Sequence, residues 1–117
     1  MTPRVAIGDR ALFVYGSLLD GAHRVSLLGR EVAGAPARLA GYERLHGRYF
    51  YIVKRAGAVV EGLVLEELNE RDFALLDRYE DVPRLYTRAR VVVAGADGAE
   101  LRCWVYLPTA ELLAACR

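Results

Sequence analysis

The stretch NERDFALLDRYEDVP, residues 69–83, is the one clearly helical segment in the middle of the chain. Asn69 can cap the N-terminus of this helix, and Asp72 suits the exposed amides and the dipole of its first turn. Pro83 prevents the helix from running far past Asp81. Residues enriched in strands occur both before and after this segment. A single bounded helix between strand regions predicts an α+β fold rather than alternating α/β layers.

The regions on either side of this helix are predicted to form β-structure. ALFVY (11–15) predicts a strand that leads into turn residues and one short helical turn. Residues 32–65 predict several short strands separated by glycine, as in a meander or a small barrel. VVVAGADGAELRCWVYL (91–107) predicts an antiparallel hairpin, because the pair at 97–98 readily adopts the positive φ angles of a tight turn. A weaker helix is expected over 109–117, with a threonine as its cap.

The composition limits the range of partners. The 117 residues are 54% hydrophobic and 26% charged with a net charge of +1, which predicts a single domain spanning residues 1–117. Since no block of like charge is present, neither nucleic acid nor an anionic membrane is an expected partner. The N-terminus lacks the pattern of a signal peptide, so we expect a cytoplasmic location. The oligomeric state is not predicted.

The cysteines and histidines do not form a metal motif. Cys103 and Cys116 have neither CxxC nor zinc-ligand spacing, and only His23 and His46 could add ligands. We therefore expect two reduced cysteines, no metal and no cofactor. Cys103 is interpreted as a core residue.

Glu80 occupies an unusual position on the predicted helix. On a helical wheel of about 100° per residue that starts at Leu68, Glu80 falls near 120°, inside the apolar arc. That arc is formed by Leu68, Phe73, Leu75, Leu76 and Tyr79. A carboxylate that faces a core is costly unless it is paired, and its pKa rises if it is desolvated, as suits a general base. Alternatively, Glu80 turns outward or pairs with Arg84 or Arg88.

Tyr86 begins the strand after Pro83 and so lies close to the helix end. It could hydrogen-bond Glu80 and fix its side chain, or it could be a half-buried strand residue whose hydroxyl reaches water. A serine hydrolase is a second chemical possibility, because Ser17, Asp20 and His23 lie close together. Triad members normally converge from separate elements, so spacings of three residues within one loop argue against a triad.

Five segments together resemble a known family. They are YGSL (15–18), AGY (40–42), EGLVLEEL (61–68), LDRYEDVPRLYTR (76–88) and CWVYL (103–107). In this order they resemble the γ-glutamylcyclotransferase-like proteins, which include γ-glutamylamine cyclotransferases and AIG2-like proteins. The resemblance extends from about residue 11 to 107. The sequence departs from the family pattern at Phe50, where proline is common.

The resemblance implies a small, mostly antiparallel β-barrel with flanking helices and a cavity reached through the YGSL loop. It implies that the α-amine of a γ-glutamyl amine or amide attacks its own γ-carbonyl and releases 5-oxoproline and a free amine. Carried over by residue, the catalytic glutamate is Glu80, and Tyr106 lines the substrate pocket. The cradle that holds the substrate falls on Tyr15, Gly16, Ser17 and Leu18. We add Tyr86 to the substrate-binding residues.

The chemistry is consistent with these residue types. A carboxylate with a raised pKa can take a proton from the amine and return it to the leaving group. Amides of a glycine-containing turn can stabilise the developing oxyanion. A different function class remains open: the same barrel could be a non-catalytic small-molecule-binding or regulatory module. The stretch YERLHGRYFY (42–51) could form the pocket rim or plain surface, and the leaving amine is not predicted.

Overall fold

The computed structural model describes residues 5–116; residues 1–4, from the N-terminal segment considered above, and Arg117, the end of the last predicted helix, lie outside the described part. Eight elements follow one another in the order β1 (Ala6–Val14), α1 (Gly21–Leu28), β2 (Gly34–His46), β3 (Phe50–Leu65), α2 (Glu70–Tyr79), β4 (Tyr86–Gly95), β5 (Glu100–Pro108) and α3 (Ala110–Ala115). A short 3₁₀ turn, Ser17–Leu19, lies between β1 and α1.

The five strands form a closed barrel in the order β1-β3-β2-β4-β5. Neighbouring strands are antiparallel except β1 and β5, which run parallel and place Phe13 opposite Val105. The predicted α+β class and the mostly antiparallel barrel with flanking helices are confirmed.

Strands β2 and β3 correct one prediction. Residues 32–65 do not form several short strands but two long ones joined by a short turn. Gly41 and Gly57 both have φ +84°, and the pairing register shifts between Ala40 and Tyr42. Glycine permits this backbone conformation, which introduces a bulge and a bend without ending the strand. The glycines therefore mark irregularities within strands rather than strand ends.

The hairpin of β4 and β5 is antiparallel, as predicted. Gly98 has φ +84°, and the Asp97 side chain accepts a 2.9 Å hydrogen bond from the Ala99 amide. Of the pair at 97–98, only the glycine takes a positive φ. Asp97 stabilises the turn through its side chain instead.

Apolar side chains form two layers, one on each face of the barrel wall. The interior layer contains residues from all five strands, among them Phe13, Ile52 and Val105. The outer layer packs Leu12 and Val14 of β1 beneath the helices, with Leu28, Phe73, Leu76 and Leu112 as helical members. Because successive residues from Ala11 to Val14 enter opposite layers, both faces of the second half of β1 are buried, which explains its continuous apolar run.

Helix α2 begins and ends close to the predicted positions. Asn69 and Asp72 form a capping box, in which the Asp72 amide donates to Asn69 Oδ1 (2.8 Å) and the Asn69 amide donates to Asp72 Oδ2 (2.9 Å). Leu68 precedes the helix, and its amide donates to the Arg10 carbonyl (2.9 Å). Tyr79, which the helical wheel places in the apolar arc, is 40% exposed.

The other helices flank the barrel. Helix α1 spans two turns where the sequence predicts one, with Asp20 as its N-cap and Gly29 at φ +77° as its C-cap. Thr109 caps α3 as predicted. Among the described residues, none of the helices combines the length and the apolar composition that crossing a membrane requires.

Candidate active site

A cavity of about 390 Å³ lies where the end of β1, the β2–β3 turn, the end of α2, the start of β4 and the end of β5 converge. Members of both apolar layers contribute to its wall. Every residue that the family resemblance assigns to the site, together with Tyr86, lines this cavity. The lining residues are Phe13, Val14, Tyr15, Gly16, Ser17, Leu18, His46, Arg48, Tyr49, Phe50, Tyr79, Glu80, Leu85, Tyr86 and Tyr106.

The end of α2 holds Glu80 at the cavity. The Glu80 amide donates to Leu76 O (2.9 Å), which completes the last helical turn. The two following amides turn back onto the helix: Asp81 N donates to Arg78 O (3.2 Å) and Val82 N donates to Asp77 O (2.9 Å). With Asp81 at φ 55°, this is a Schellman end. Glu80 is thus the C-cap residue rather than a member of a helix face, which corrects the helical-wheel placement.

The Glu80 carboxyl is partly buried and has no cationic partner within residues 5–116. The two arginines considered from sequence have other partners. Arg84 binds Asp81 and Glu111, and Arg88 binds Asp77. Burial raises the pKa of the Glu80 carboxyl from 4.5 to about 7. The carboxyl can therefore accept or donate a proton near neutral pH.

Tyr86 lines the cavity but does not bind Glu80. Its hydroxyl donates to the Phe50 carbonyl at 2.6 Å, and its side chain is buried. The predicted Tyr86–Glu80 hydrogen bond is therefore wrong, as is the alternative of a hydroxyl in water. The acceptor is instead the carbonyl of Phe50, at the start of β3, which the fold brings to Tyr86 although β3 and β4 are not paired. Burial, followed by the nearby charge of Glu80, raises the pKa of Tyr86 above its usual range, so its hydroxyl stays protonated.

Two further tyrosines form fixed walls of the cavity. Tyr15 Oη donates to the Tyr106 carbonyl (2.7 Å), and Tyr106 Oη donates to Asp77 Oδ1 (2.7 Å). Arg88 Nε contacts the same carboxylate oxygen at 3.0 Å. Burial is the main reason that the pKa values of Tyr15 and Tyr106 lie above the usual range. Both side chains are neutral and held in place.

The YGSL segment turns sharply at the cavity wall. Leu19 N donates to Gly16 O at 3.0 Å and is the first amide bonded within the 3₁₀ turn. The amides of Ser17 and Leu18 precede it, so they have no acceptor inside the turn, as expected for the first residues of any helix. A Cβ on Gly16 would lie 3.1 Å from the Phe50 Cβ, which is closer than ordinary contact. The turn thus offers two amide donors beside the cavity.

Ser17, Asp20 and His23 do not form a triad. Ser17 Oγ shares a 2.8 Å hydrogen bond with Tyr79 Oη, and Asp20 Oδ1 accepts from the Ala22 amide (3.0 Å). The His23 ring packs edge-on against Tyr79, with 5.3 Å between centroids. The structure therefore agrees with the argument from spacing against a serine hydrolase.

The β2–β3 turn forms part of the cavity rim, so of residues 42–51, which the sequence left open between rim and plain surface, four line the cavity and the others do not. His46 stacks on Phe50 with 4.0 Å between ring centroids, and Arg48 and Tyr49 line the same side. No local sequence pattern marks these residues, because they reach the cavity only through strand pairing. Tyr79 is also unforeseen; its position next to Glu80 is the only available signal. Among residues 5–116, no three His, Cys, Asp or Glu side chains gather as a metal site would need.

Comparison with known proteins gives a match over most of the chain. A family model described as "Gamma-glutamyl cyclotransferase, AIG2-like" matches residues 12–115. A protein of Methanocaldococcus jannaschii, described as a gamma-glutamylcyclotransferase and candidate RNase, is 25% identical over 99 residues. That alignment covers 82% of this chain and 45% of the relative, so the chain spans about half the length of the curated relative.

Solved structures share the architecture. The solution structure of an Arabidopsis thaliana protein superposes with a TM-score of 0.77 at 28% identity, over 87% of this chain and 70% of that one. A structure described as a gamma-glutamyl cyclotransferase superposes with a TM-score of 0.73 at 26% identity, over 85% of this chain and 66% of that one.

Proposed function

Because the chain belongs to the gamma-glutamyl cyclotransferase, AIG2-like family, we propose that it converts a small-molecule γ-glutamyl amine or amide into 5-oxoproline and a free amine. The observation that carries this proposal is the Glu80 carboxyl, which lines the cavity with a pKa of about 7 and no cationic partner within residues 5–116. We also propose that residues 1–117 form one domain that acts in the cytoplasm.

In the first step, ionised Glu80 takes a proton from the α-ammonium of the substrate. The neutral amine then attacks the γ-carbonyl carbon, forming a carbon–nitrogen bond and moving the carbonyl π electrons onto oxygen. Since attack closes a five-membered ring, much of the catalysis consists of holding the reactive conformer. The fixed walls formed by Tyr15, Tyr86 and Tyr106 suit this task.

In the second step, protonated Glu80 gives its proton to the leaving nitrogen as the original carbon–nitrogen bond breaks. As the ring nitrogen becomes the lactam N–H, it loses its second proton to the Glu80 carboxylate, which passes that proton to the released amine. Two protons thus leave the α-nitrogen and two reach the leaving nitrogen, and the carboxyl returns to its starting state. A group with a pKa near 7 suits both directions of transfer at neutral pH. Because the first transfer requires the carboxylate, kcat/KM should rise as the pH increases through about 7.

The YGSL turn would stabilise the tetrahedral intermediate. The negative charge develops on the former carbonyl oxygen, and the Ser17 and Leu18 amides are the donors that the turn leaves without an internal acceptor. Amide donors aimed at an oxyanion in a water-poor cavity contribute strongly to catalysis. Gly16 allows the backbone to approach closely here because it has no Cβ.

The direct test is turnover. The protein is incubated with a panel of γ-glutamyl amino acids, γ-glutamyl-lysine isopeptides and γ-glutamyl peptides, and the products are separated by chromatography with mass detection. We expect 5-oxoproline among them. Glu80→Gln keeps the shape of the side chain but cannot accept a proton. We expect it to lower kcat about 10²- to 10⁴-fold without lowering Tm.

Glu70→Gln is the matched control, because Glu70 is an exposed carboxylate on the same helix that does not line the cavity. Its turnover should equal that of the wild type. If the wild type and Glu80→Gln give equally little 5-oxoproline while γ-glutamyl compounds still raise Tm, the chain is a binding module and the catalytic proposal fails.

A further inference from the structure

Arg24 of α1 is a buried cation whose bonds all go to main-chain oxygens. Its side chain is only 9% exposed. Nε donates to Val32 O (3.0 Å), and Nη1 donates to Leu18 O (2.9 Å) and Leu19 O (3.0 Å). No carboxylate among residues 5–116 pairs with it. Burying a guanidinium without a counter-ion is costly, and an apolar side chain would fill the same space more easily.

Of the three acceptors, Leu18 O belongs to the cradle and Leu19 O follows it directly in the chain. Across residues 15–19, every carbonyl oxygen accepts a hydrogen bond. Arg24 donates to Leu18 O and Leu19 O, and Arg44 Nη1 donates to Tyr15 O at 2.9 Å. The two between them accept from amides of the same turn: Leu19 N reaches Gly16 O at 3.0 Å, and Asp20 N reaches Ser17 O at 3.3 Å.

Peptide planarity links these bonds to the cavity. A carbonyl and the amide that follows it lie in one plane and point in opposite directions. By holding Leu18 O and Leu19 O, Arg24 fixes the planes that carry the Leu19 and Asp20 amides. Those two amides in turn hold Gly16 O and Ser17 O. The peptide plane of Gly16 O contains the Ser17 amide, and the plane of Ser17 O contains the Leu18 amide.

We propose that Arg24 is a positioning residue for the oxyanion. It fixes the peptide planes behind the cradle, with Arg44 fixing the plane at its start, so that the Ser17 and Leu18 amides are oriented before substrate arrives. This inference rests on the proposed cyclotransferase function. Pre-oriented donors act on charge that exists only in the transition state, so their loss lowers kcat more than it raises KM.

The experiment measures kcat and KM for 5-oxoproline release in wild type, Arg24→Met and Arg24→Lys, well below the Tm of each. Methionine has similar length but no donor, so kcat should fall about 10- to 100-fold with KM within about threefold of wild type. Lysine keeps a charged donor and should recover part of the loss. The rise of kcat/KM near pH 7 should stay in place, because Arg24 has no contact with Glu80.

Arg30→Met is the matched control for lost stability. Arg30 follows α1 and binds Asp72 of α2, away from the cavity. Its replacement should lower Tm and leave kcat unchanged. If Arg24→Met does not fold, Arg44→Gln replaces it, since Arg44 is exposed and its loss should be tolerated. That variant should lower kcat several-fold with little change in KM.

The outcomes separate the two proposals. Wild-type turnover together with a kcat for Arg24→Met within twofold of wild type overturns the positioning role, even if Tm falls as in Arg30→Met. A loss confined to KM overturns it as well. A wild type that releases no 5-oxoproline from any substrate overturns the proposed function, and the role of Arg24 with it.

Discussion

At the scale of single residues, the environment of Glu80 sets its chemistry. Arg84 and Arg88, the two arginines considered as its partners from the sequence, bind other carboxylates: Arg84 binds Asp81, and Arg88 binds Asp77. Burial without a cation therefore raises the pKa of Glu80 to about 7. The same burial makes the ionised form unfavourable for folding.

This raised pKa gives a stability prediction that needs no substrate. The folded state binds the Glu80 proton more tightly than the unfolded state, whose pKa is near 4.5, so stability falls as the pH rises from about 4.5 to 7. Glu80→Gln removes this ionisation. We expect the variant to gain stability relative to wild type across that range, by up to about 3 kcal/mol at pH 8.

Urea unfolding of both proteins between pH 4.5 and 8 measures the difference. Glu70→Gln, on the exposed side of the same helix, reports the effect of removing one surface charge. A stability difference between Glu80→Gln and wild type that stays constant with pH would show that Glu80 is not desolvated in the folded protein.

At the scale of elements, α2 organises the site. Its start is anchored by Asp72, which completes the capping box and binds Arg30, with Nη2 at 2.7 Å from Oδ2. Its other end carries Asp77, which holds Tyr106, and then Glu80 at the cavity. The N-terminal anchor therefore stabilises the folded helix, although neither Asp72 nor Arg30 lines the cavity.

Replacing Asp72 with asparagine should destabilise the protein by about 1–3 kcal/mol at pH 7, because the charged partner of Arg30 and the charged half of the capping box are lost. The hydrogen bond from Arg30 is the main reason that the pKa of Asp72 lies below its usual range. The stability that ionised Asp72 contributes is therefore complete above pH 3.8, the ordinary pKa of an aspartate. It is lost as the pH falls through the lower pKa that Asp72 has in the folded protein.

Thermal unfolding at pH 7 and pH 3 tests this expectation. The difference between Asp72→Asn and wild type should be large at pH 7 and smaller at pH 3. Glu70→Gln, in the same helical turn, should change stability by only a few tenths of a kcal/mol. Equal effects of the two substitutions at pH 7 would contradict the anchoring role.

At the scale of the whole molecule, closure of the barrel brings the site together. The cradle follows β1, Tyr106 lies on β5, and β1 is the strand that joins β3 to β5. At the crossing of β1 and β3, a Cβ on Gly62 would lie 2.2 Å from Val14 O and 2.8 Å from the Phe13 ring. The barrel closes here through a contact that only glycine allows.

Gly62→Ala should therefore destabilise the protein by about 3 kcal/mol, because two strands must separate to accept the methyl group. Gly57→Ala on the same strand is the comparison. Gly57 has φ +84° and nothing within 4 Å, so alanine there meets backbone strain alone, which costs about 1 kcal/mol. Chemical denaturation measures both variants, and a smaller loss for Gly62→Ala than for Gly57→Ala would refute the close crossing.

The sequence by itself determined the features that depend on neighbouring residues. The Asn69 cap, the turn at Gly98 and the cap at Thr109 are local hydrogen-bonding arrangements, and each is present where it was predicted. The strand and helix regions, and with them the α+β class, follow from the spacing of apolar residues. The motifs that carry the family resemblance also named candidate residues that line one cavity, from Tyr15 of the cradle to Glu80 and Tyr106.

The tertiary structure alone decided which distant groups meet. Tyr86 binds Phe50 O, 36 residues away, rather than Glu80, and the β2–β3 turn reaches the rim only through a long hairpin. The hydrogen bonds from Arg24 to Leu18 O and Leu19 O leave no pattern in the sequence, because every residue has a main-chain carbonyl. Local propensity acts over a few residues. The hydrogen-bond partner of a buried side chain, in contrast, depends on how distant strands meet when the whole barrel closes.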